Sequence, residues 1–265
     1  MSKDTLADSD NAPIYVSAAA SDIGRMRPSN QDAFLELPKA GLWCVADGMG
    51  GYRDGDVASR MVCDALRSMS GSGDLEEAID ELRQRMSDVN ARLHGAAVRD
   101  RNPIVSGSTV AMFIARGKAC AALWAGDSRV YRLRGGQLVR LTSDHTWAAE
   151  LEMDVSPDDM ADHVLTRAVG GESVLLLDVR RDRVQPRDRY LLCSDGLTRE
   201  LDDARIASIL KSAHDVRACA KALIDAALDA GGRDNVTVVV IEAGEGSAGK
   251  RRAKRRSGKS GRSRK

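Results

Sequence analysis

The stretch RVYRLRGGQLVRL, residues 129–141, contains two strand-like segments joined by two consecutive glycines. A two-residue glycine turn supplies the positive φ angles that a tight antiparallel hairpin requires. Residues 129–134 and 137–141 are therefore predicted to pair antiparallel. Residues 109–114 and 119–125 precede them as two further strand-like segments. Because consecutive hairpins build antiparallel sheet, this part of the chain indicates a sheet of that kind.

Strand-like and helix-like segments continue on both sides of this hairpin, without a break in composition that would mark a linker. The further predicted strands are residues 14–20, 33–37, 42–46, 174–179, 190–193 and 236–241. Apolar residues three or four apart predict helices at residues 57–69, 75–93, 203–210 and 216–228. The first of these helices rests on the spacing of Val57, Met61, Ala65 and Met69. The pattern predicts one α+β domain over residues 14–244, with a polar flap at about 145–165.

The helix predicted at residues 75–93 has two possible partners. Asp74 and Glu77 have the spacing of a capping box at its start. Its apolar positions have heptad-like spacing, which is also typical of a coiled coil. Because it is shorter than three heptads, we favour a helix that faces the core.

Length and composition exclude several classes of protein. The chain has 265 residues, 43% hydrophobic and 30% charged, so wholesale disorder, collagen and a disulfide-stapled miniprotein are excluded. No segment approaches the roughly 20 apolar residues that span a bilayer, and the N-terminal segment is acidic, unlike an export signal. The five cysteines are odd in number and lack Cys-x-x-Cys spacing, which indicates reduced thiols and a cytoplasmic location.

Charge is distributed unevenly along the chain. Residues 250–265 hold ten of the 40 lysines and arginines and no acid, so residues 1–249 have a net charge of −9. A basic run of this kind cannot bury apolar area, and we predict a disordered tail at 245–265 and a flexible N-terminus at 1–13. The tail has two interpretations, a solvated segment or an unspecific binder of nucleic acid. Specific recognition is not expected, because no aromatic residues are present for base stacking.

Three aspartates stand where an apolar strand meets a loop: Asp47 in LWCVADGMGG, Asp195 in YLLCSDGL and Asp234 in GGRDNVTVVV. A single Asp-Gly or Asp-Asn pair is more often a plain turn. Their shared placement at strand ends, however, predicts carboxylates that converge at one edge of a sheet. An oxygen-only set of ligands favours Mg²⁺ or Mn²⁺ over zinc. The four histidines are scattered without ligand spacing and are interpreted as surface or locally bonded residues.

A second group of candidate residues lies upstream in SDIGRMRPSNQD, residues 21–32. Arg27 stands five residues before Asp32, with turn-forming residues between them. One segment can therefore offer a guanidinium and a carboxylate to the same pocket. Guanidinium groups make paired, charge-assisted bonds to phosphate oxygens, while acids on the other side of the pocket can hold metal ions. Asp32 is accordingly a candidate metal ligand. The alternative is a surface arginine in an ordinary loop.

Taken together, the motifs resemble a known family, the metal-dependent serine/threonine protein phosphatases of type 2C, and specifically its bacterial branch. Eight motifs carry the resemblance, which covers about residues 14–242, and they occur in the family's order: SDIGRMRPSNQD (21–32), VADGMGG (45–51), SGSTV (106–110), AGDSRVYRLR (125–134), LTSDHT (141–146), LTRAVG (165–170), LLCSDGL (191–197) and GGRDNVTVVVI (231–241). The resemblance implies a four-layer α-β-β-α sandwich, in which two antiparallel sheets are flanked by helices. It also implies two Mn²⁺ or Mg²⁺ ions at one end of the sandwich, with a weaker third.

The resemblance also implies a role for each matching residue. Asp47 would bridge both metals, the Gly48 carbonyl would bind the first, and Asp195 and Asp234 would bind the second. Asp127 resembles a ligand of the third metal. Arg27 would hold the substrate phosphate. The remaining motif residues are expected to act indirectly, Asn235 by orienting its neighbour and the others mainly through structure: Thr109, Asp144 and Thr166.

Two positions depart from the family's pattern. The family often has Glu where this chain has Gln31, which keeps an oxygen and loses a charge, so metal affinity is expected to fall. Some relatives have a histidine proton donor where this chain has Met49, which cannot donate. Another proton source is therefore required, and water on the metals is the candidate.

The implied reaction is hydrolysis of phosphoserine or phosphothreonine on proteins by water that the two metals activate. No cysteine nucleophile is needed. We expect phosphoproteins as substrates, a cognate bacterial serine/threonine kinase as the opposing enzyme, and a cytoplasmic monomer. The alternative is a pseudophosphatase that binds phosphoproteins without turnover, which Gln31 leaves open.

Overall fold

The structure is a computed structural model that describes residues 13–50, 54–100, 106–153 and 164–244. Within these ranges, eleven strands form two antiparallel sheets that pack face to face, and helices cover both outer faces. The predicted α-β-β-α sandwich is confirmed. The strands are β1 (Tyr15–Asp22), β2 (Asp32–Leu37), β3 (Leu42–Met49), β4 (Gly107–Ser108), β5 (Val110–Arg116), β6 (Ala119–Ala125), β7 (Arg129–Arg134), β8 (Gln137–Arg140), β9 (Asp178–Arg183), β10 (Arg189–Cys193) and β11 (Val236–Ala243).

The order of the strands brings several loops to one edge of the sandwich. One sheet runs β1-β11-β10-β7-β8, and the other runs β2-β3-β5-β6-β9 with β4 paired to β3. In the first sheet, the end of β1 at Asp22 lies opposite Val236 at the start of β11. In the second sheet, Asp32 at the start of β2 lies opposite Asp47 near the end of β3. The loops at these strand ends carry the predicted site residues.

The β7–β8 hairpin turns as the sequence predicts. Gly135 and Gly136 have φ angles of 55° and 81°, in the left-handed region that glycine adopts without a steric penalty. Arg134 pairs with Gln137 directly across the turn. Because no side chain has to enter that region, the hairpin closes without strain.

An aromatic core fills the space between the two sheets. Trp43, Phe113 and Tyr190 are fully buried there. The Phe113 and Tyr190 rings stack at 4.1 Å between centroids, and the Trp43 ring lies 5.9 Å from that of Phe113. The chain has few aromatic residues, and this core concentrates three of them where they fix the distance between the sheets.

Helices cover the outer face of each sheet. The helices are α1 (Asp54–Leu66), α2 (Leu75–Asp100), α3 (Trp147–Glu150), α4 (Asp195–Thr198), α5 (Asp203–Ser212) and α6 (Val216–Ala230). The first two pack against the sheet that contains β3, and the last two pack against the sheet that contains β11. No helix in the described ranges is both long and apolar enough to cross a bilayer.

Helix α2 is core-facing, as predicted. Its whole apolar stripe from Leu75 to Leu93 is buried against the sheet, so no free face remains for a coiled coil. The capping box is present. The backbone N–H of Glu77 donates to Asp74 Oδ1 at 2.9 Å, and the backbone N–H of Asp74 donates to Glu77 Oε2 at 3.0 Å.

Two predictions of local structure were wrong, namely the buried face of α1 and the first residue of β9. In α1 the buried face is Ala58, Val62 and Leu66, whereas Val57 is half exposed. The predicted and the buried sets have the same four-residue spacing and lie one position apart on the helix, so the spacing alone does not decide which set faces the core. Residues 174–177 form no strand, and β9 begins only at Asp178. Residues 154–163 of the predicted flap, residues 1–12 of the predicted N-terminal segment and the predicted tail at 245–265 lie outside the described residues.

Candidate active site

A cavity of about 510 Å³ opens at the edge where the strand ends meet. Most of the predicted site residues line it: Arg27, Asp47, Gly48, Asp127, Asp195 and Asp234. Asp32 lies behind this wall, opposite Asp47 in the β2–β3 pairing. The structure therefore brings residues from five separate stretches of the chain to one place.

Hydrogen bonds with Thr109 hold the backbone of Asp47 in place. Its N–H donates to Thr109 Oγ1 at 3.0 Å, and its carbonyl accepts from the Thr109 N–H at 2.8 Å. The Thr109 hydroxyl also forms a 2.7 Å hydrogen bond with Ser128, the residue after Asp127. Thr109 thus fixes the strand end that presents Asp47 and ties it to the loop of Asp127. The Asp47 side chain is left to face the cavity.

Gly48 is required by close packing between β3 and α1. A Cβ atom at this position would lie 1.9 Å from the Gly55 carbonyl oxygen and 2.8 Å from that of Gln31. The Gly48 N–H donates to the same Gln31 carbonyl at 3.1 Å. The Gln31 side chain faces Gly55 and lines the cavity. Met49 lines it too and offers no proton.

Asp195 and Asp234 are presented by two loops in direct contact. Asp195 is the first residue of α4, just after β10, and Asp234 stands just before β11. A Cβ atom on Gly196 would lie 1.9 Å from the Asn235 carbonyl oxygen. The glycine of this Asp-Gly pair is therefore what allows the two loops to approach so closely.

Asn235 joins the loop that carries Arg27 to the start of β11. Its side-chain amide donates to the carbonyls of Ile23 at 2.8 Å and Ser29 at 3.0 Å. Its Oδ1 accepts from the Gln31 N–H at 2.8 Å. Asn235 is buried, and three of its hydrogen bonds fasten the 23–31 loop. This wider role goes beyond the predicted orientation of a neighbour.

Two guanidinium groups lie among the carboxylates. Arg27 donates to both oxygens of Asp234, at 2.7 Å to Oδ1 and 2.6 Å to Oδ2. Arg199 pairs with Asp195 and also donates to Asp234 Oδ2 at 3.2 Å. The sequence analysis missed Arg199. Its position four residues after Asp195 on a helix was the available signal, because residues at that spacing share a helix face.

The other motif residues contact their surroundings rather than the cavity's carboxylates. Asp144 forms an ion pair with Arg129 at 2.6 Å, beneath the β7–β8 hairpin. The Thr166 hydroxyl lines the cavity rim and donates to Glu150 Oε1 at 2.7 Å. Ser194 Oγ donates to Asp32 Oδ2 at 2.7 Å.

Negative charge is in excess at this site. Among the described residues, five carboxylates interact there with the two guanidinium groups of Arg27 and Arg199. Burial is the largest cause that raises the pKa of Asp47 well above its ordinary value, and the neighbouring carboxylates add to it. Burial and Asp195 likewise raise the pKa of Asp127. Like charges held together in this way favour binding of further cations. The carboxylates are those of Asp32, Asp47, Asp127, Asp195 and Asp234.

The donor chemistry of the site fits hard divalent cations. All the candidate ligands are carboxylate or carbonyl oxygens, which Mg²⁺ and Mn²⁺ prefer. Asp32 Oδ1 is buried and has no hydrogen-bond partner within the described ranges. In the same ranges, however, no three acidic, histidine or cysteine side chains already surround one point as ligands. Since the arginines hold Asp234 and Asp195, an ion that binds there must displace these ion pairs.

We therefore predict that Arg199→Ala tightens the binding of Mn²⁺. The substitution removes a positive charge that competes for Asp195 and Asp234, and an ion pair of this kind contributes up to about 1 kcal/mol. The Mn²⁺ dissociation constant should fall about fivefold, measured by isothermal titration calorimetry. Arg205→Ala, on the exposed face of α5, is the control and should leave it unchanged. Unchanged or weaker binding in Arg199→Ala would contradict the competition.

One cysteine also lies close to the site. Cys193 and Arg199 have the Cys-x5-Arg spacing of cysteine phosphatase loops. Cys193 is nevertheless fully buried in β10, and burial raises the pKa of its thiol to about 12. The thiolate is the nucleophilic form, so this cysteine is not available for attack at neutral pH.

Comparisons with known proteins identify relatives of this chain. A family model described as Protein phosphatase 2C matches residues 25–230. The serine/threonine phosphatase stp of Listeria welshimeri is 35% identical over 237 residues, covering 83% of this chain and 93% of that protein. The solved structure of PppA from Pseudomonas aeruginosa is 39% identical with a TM-score of 0.83, covering 88% of this chain and 99% of PppA. The solved structure of the catalytic domain of PstP in complex with two manganese ions is 32% identical with a TM-score of 0.79. The match covers 88% of this chain and 99% of the PstP chain.

Proposed function

Because the chain belongs to the protein phosphatase 2C family, we propose that it is a metal-dependent enzyme that hydrolyses phosphoserine and phosphothreonine on proteins. The observation that carries this proposal is the meeting of Asp47, Asp195 and Asp234 with Arg27 around one cavity. The relatives stp and PstP are named serine/threonine phosphatases, and the PstP structure holds two manganese ions. The alternative of a binding-only pseudophosphatase has no support among them.

The site residues have distinct proposed roles. Asp47 would contact both of two Mn²⁺ or Mg²⁺ ions, the Gly48 carbonyl would bind the first, and Asp195 with Asp234 would bind the second. Asp127 would contribute to a weaker third ion. Asp32 lies opposite Asp47 and its buried Oδ1 has no hydrogen-bond partner within the described ranges, so we keep it as a further candidate ligand. Bound ions of this kind supply activated water and positive charge for phosphoryl transfer.

The chain's own cations would bind the substrate phosphate. Arg27 lies at the mouth of the cavity with about half of its side chain exposed, so it can exchange Asp234 for a phosphate group. Its planar fork of donors suits two phosphate oxygens at once. Because Met49 cannot donate, the proton for the departing serine or threonine oxygen must come from water in the cavity.

The direct test is hydrolysis of para-nitrophenyl phosphate and of a phosphothreonine peptide, with Mn²⁺ and with excess EDTA. We expect turnover of both substrates that depends on the metal. Retention of phosphopeptide binding without turnover at saturating Mn²⁺ would overturn the proposal and favour the pseudophosphatase. Mg²⁺ assayed in parallel would decide which of the two ions this enzyme prefers.

Arg27→Ala should weaken binding of the phosphate group. A hydrogen bond to a charged partner contributes about 1.5–3 kcal/mol, so the Michaelis constant should rise at least about tenfold. Metal occupancy, measured by calorimetry, should not fall. Arg25→Ala is a matched control on the same loop, since the Arg25 side chain points away to the Leu228 carbonyl. An unchanged Michaelis constant and turnover number in Arg27→Ala would remove this role.

We also propose a cellular setting for the enzyme. The five cysteines are buried and free, which supports a reducing compartment such as the bacterial cytoplasm. A phosphatase of this specificity would oppose a serine/threonine kinase, and we propose that it acts as a monomer on phosphoproteins. We keep the catalytic domain at 14–244, with residues 145–165 as its flap.

A further inference from the structure

The segment 174–177, which follows the cavity wall, leaves large apolar side chains in solvent. Val174 is 69% exposed and Leu176 is 63% exposed, whereas Leu175 and Leu177 pack against the core beneath α1 and α2. The alternation is that of a strand, but the segment pairs with no strand in the part of the chain that the structure describes. Val174 and Leu176 form what we call the outer ridge.

The base of the outer ridge is anchored by buried hydrogen bonds. Asn90 on α2 is 2% exposed, and its amide donates to the Glu172 carbonyl at 2.9 Å while its Oδ1 accepts from the Gly170 N–H at 2.7 Å. Just upstream, Val169 exchanges backbone hydrogen bonds of 2.8 and 3.0 Å with Ser108. Because its base is fixed, the ridge presents its side chains at a set distance from the catalytic cavity.

A small cleft separates the outer ridge from the loop that carries Thr166. Its volume is about 200 Å³, and Val174, Leu175 and Leu176 form one wall. The other wall belongs to both this cleft and the catalytic cavity: Thr166, Arg167, Ala168 and Glu172. The cleft therefore adjoins the cavity where the phosphate would bind.

The chemistry of the cleft suits an apolar side chain rather than a second phosphate. The Arg167 guanidinium, the only cation among the described residues that line the cleft, is engaged by Asp178 at 2.9 Å and lies 3.7 Å from Glu150. The volume is below the roughly 300 Å³ at which small-molecule sites begin. Exposed apolar side chains beside a binding site commonly mark contact with a partner.

We propose that this cleft receives an apolar side chain of the phosphoprotein, close in sequence to the phosphorylated serine or threonine. The occupant is inferred from the shared wall, because a peptide with its phosphate in the cavity must leave along an adjoining surface. The inference rests on the proposed function and adds a substrate preference to it. Val174 and Leu176 are then specificity residues that take no part in the reaction.

The test measures kcat/KM for phosphothreonine peptides in which leucine is placed in turn at each of the three positions on either side, in an otherwise serine-glycine background. We expect one position at which leucine raises kcat/KM about tenfold over serine. The double variant Val174→Ser, Leu176→Ser should lose this preference, with para-nitrophenyl phosphate turnover unchanged. Val16→Ser, also an exposed valine but at the far end of β1 from the cavity, is the control.

Several outcomes would overturn the proposal. These are a wild-type enzyme without a leucine preference, or a preference that persists in the double variant. The wild-type protein could instead dimerise at increasing concentration while the double variant stays monomeric. That result would assign the outer ridge to contact with a second copy of the chain. Failure of the proposed function would be seen separately, as no turnover of para-nitrophenyl phosphate. Binding of the same peptides by fluorescence anisotropy would then decide the leucine preference.

Discussion

Asp47→Asn is expected to remove turnover while leaving the fold intact. Asparagine has the same shape, and the hydrogen bonds that hold this strand end come from the backbone and Thr109, so they survive. The lost negative charge is the one proposed to contact both metal ions. Such ions contribute several kcal/mol to the transition state, so kcat should fall at least about a thousandfold at saturating Mn²⁺.

The same substitution is expected to stabilise the metal-free protein. Burial and neighbouring carboxylates raise the pKa of Asp47 in the folded state, so its ionised form destabilises the fold at neutral pH. Removing that charge should raise the melting temperature in EDTA and reduce the further rise on adding Mn²⁺. Asp229→Asn, at an exposed position, is the control. Near-normal turnover of Asp47→Asn at saturating Mn²⁺ would contradict its assignment.

The residues at the strand ends could be predicted from the sequence more reliably than the contacts that these residues make. Asp47, Asp195 and Asp234 each stand beside an apolar run, and a strand end fixes where such a residue lies, so their convergence could be predicted. The partners of these residues could not. Arg199 pairs with Asp234 across 35 positions of the chain, and the three hydrogen bonds of Asn235 depend on which carbonyls the 23–31 loop presents.

Segment 174–177 shows a second limit. Its apolar run is typical of a buried strand, but a strand also needs a free edge to pair with, and β9 pairs with β6 only from Asp178 onward. A local sequence pattern indicates that side chains alternate between two faces. It does not indicate whether another part of the protein covers the outer face. Leu175 and Leu177 face inward and pack against the core, whereas Val174 and Leu176 face outward, where we propose that the substrate binds.

Gly196→Ala is expected to separate the two halves of the second metal site. Gly196 is helical with an ordinary φ, so the obstacle is contact rather than backbone strain. The new Cβ atom would lie 1.9 Å from the carbonyl oxygen of Asn235 and 2.9 Å from its carbonyl carbon. One of the two loops must move. Displacement by about 1 Å can cost about a hundredfold in rate, and we expect a loss of that size in kcat.

The measurement that separates this geometric effect from general unfolding is Mn²⁺ binding by calorimetry on folded protein. Gly196→Ala should overpack the contact and lower stability by about 1–3 kcal/mol, yet remain folded at low temperature, with Mn²⁺ affinity reduced. Gly95→Ala provides the matched control, since Gly95 also lies in a helix and nothing stands within 4 Å of its added Cβ. That control should keep wild-type affinity and gain slightly in stability, because alanine favours a helix. Wild-type Mn²⁺ affinity and turnover in Gly196→Ala would show that the approach of the Asp195 and Asp234 loops is not what assembles the site.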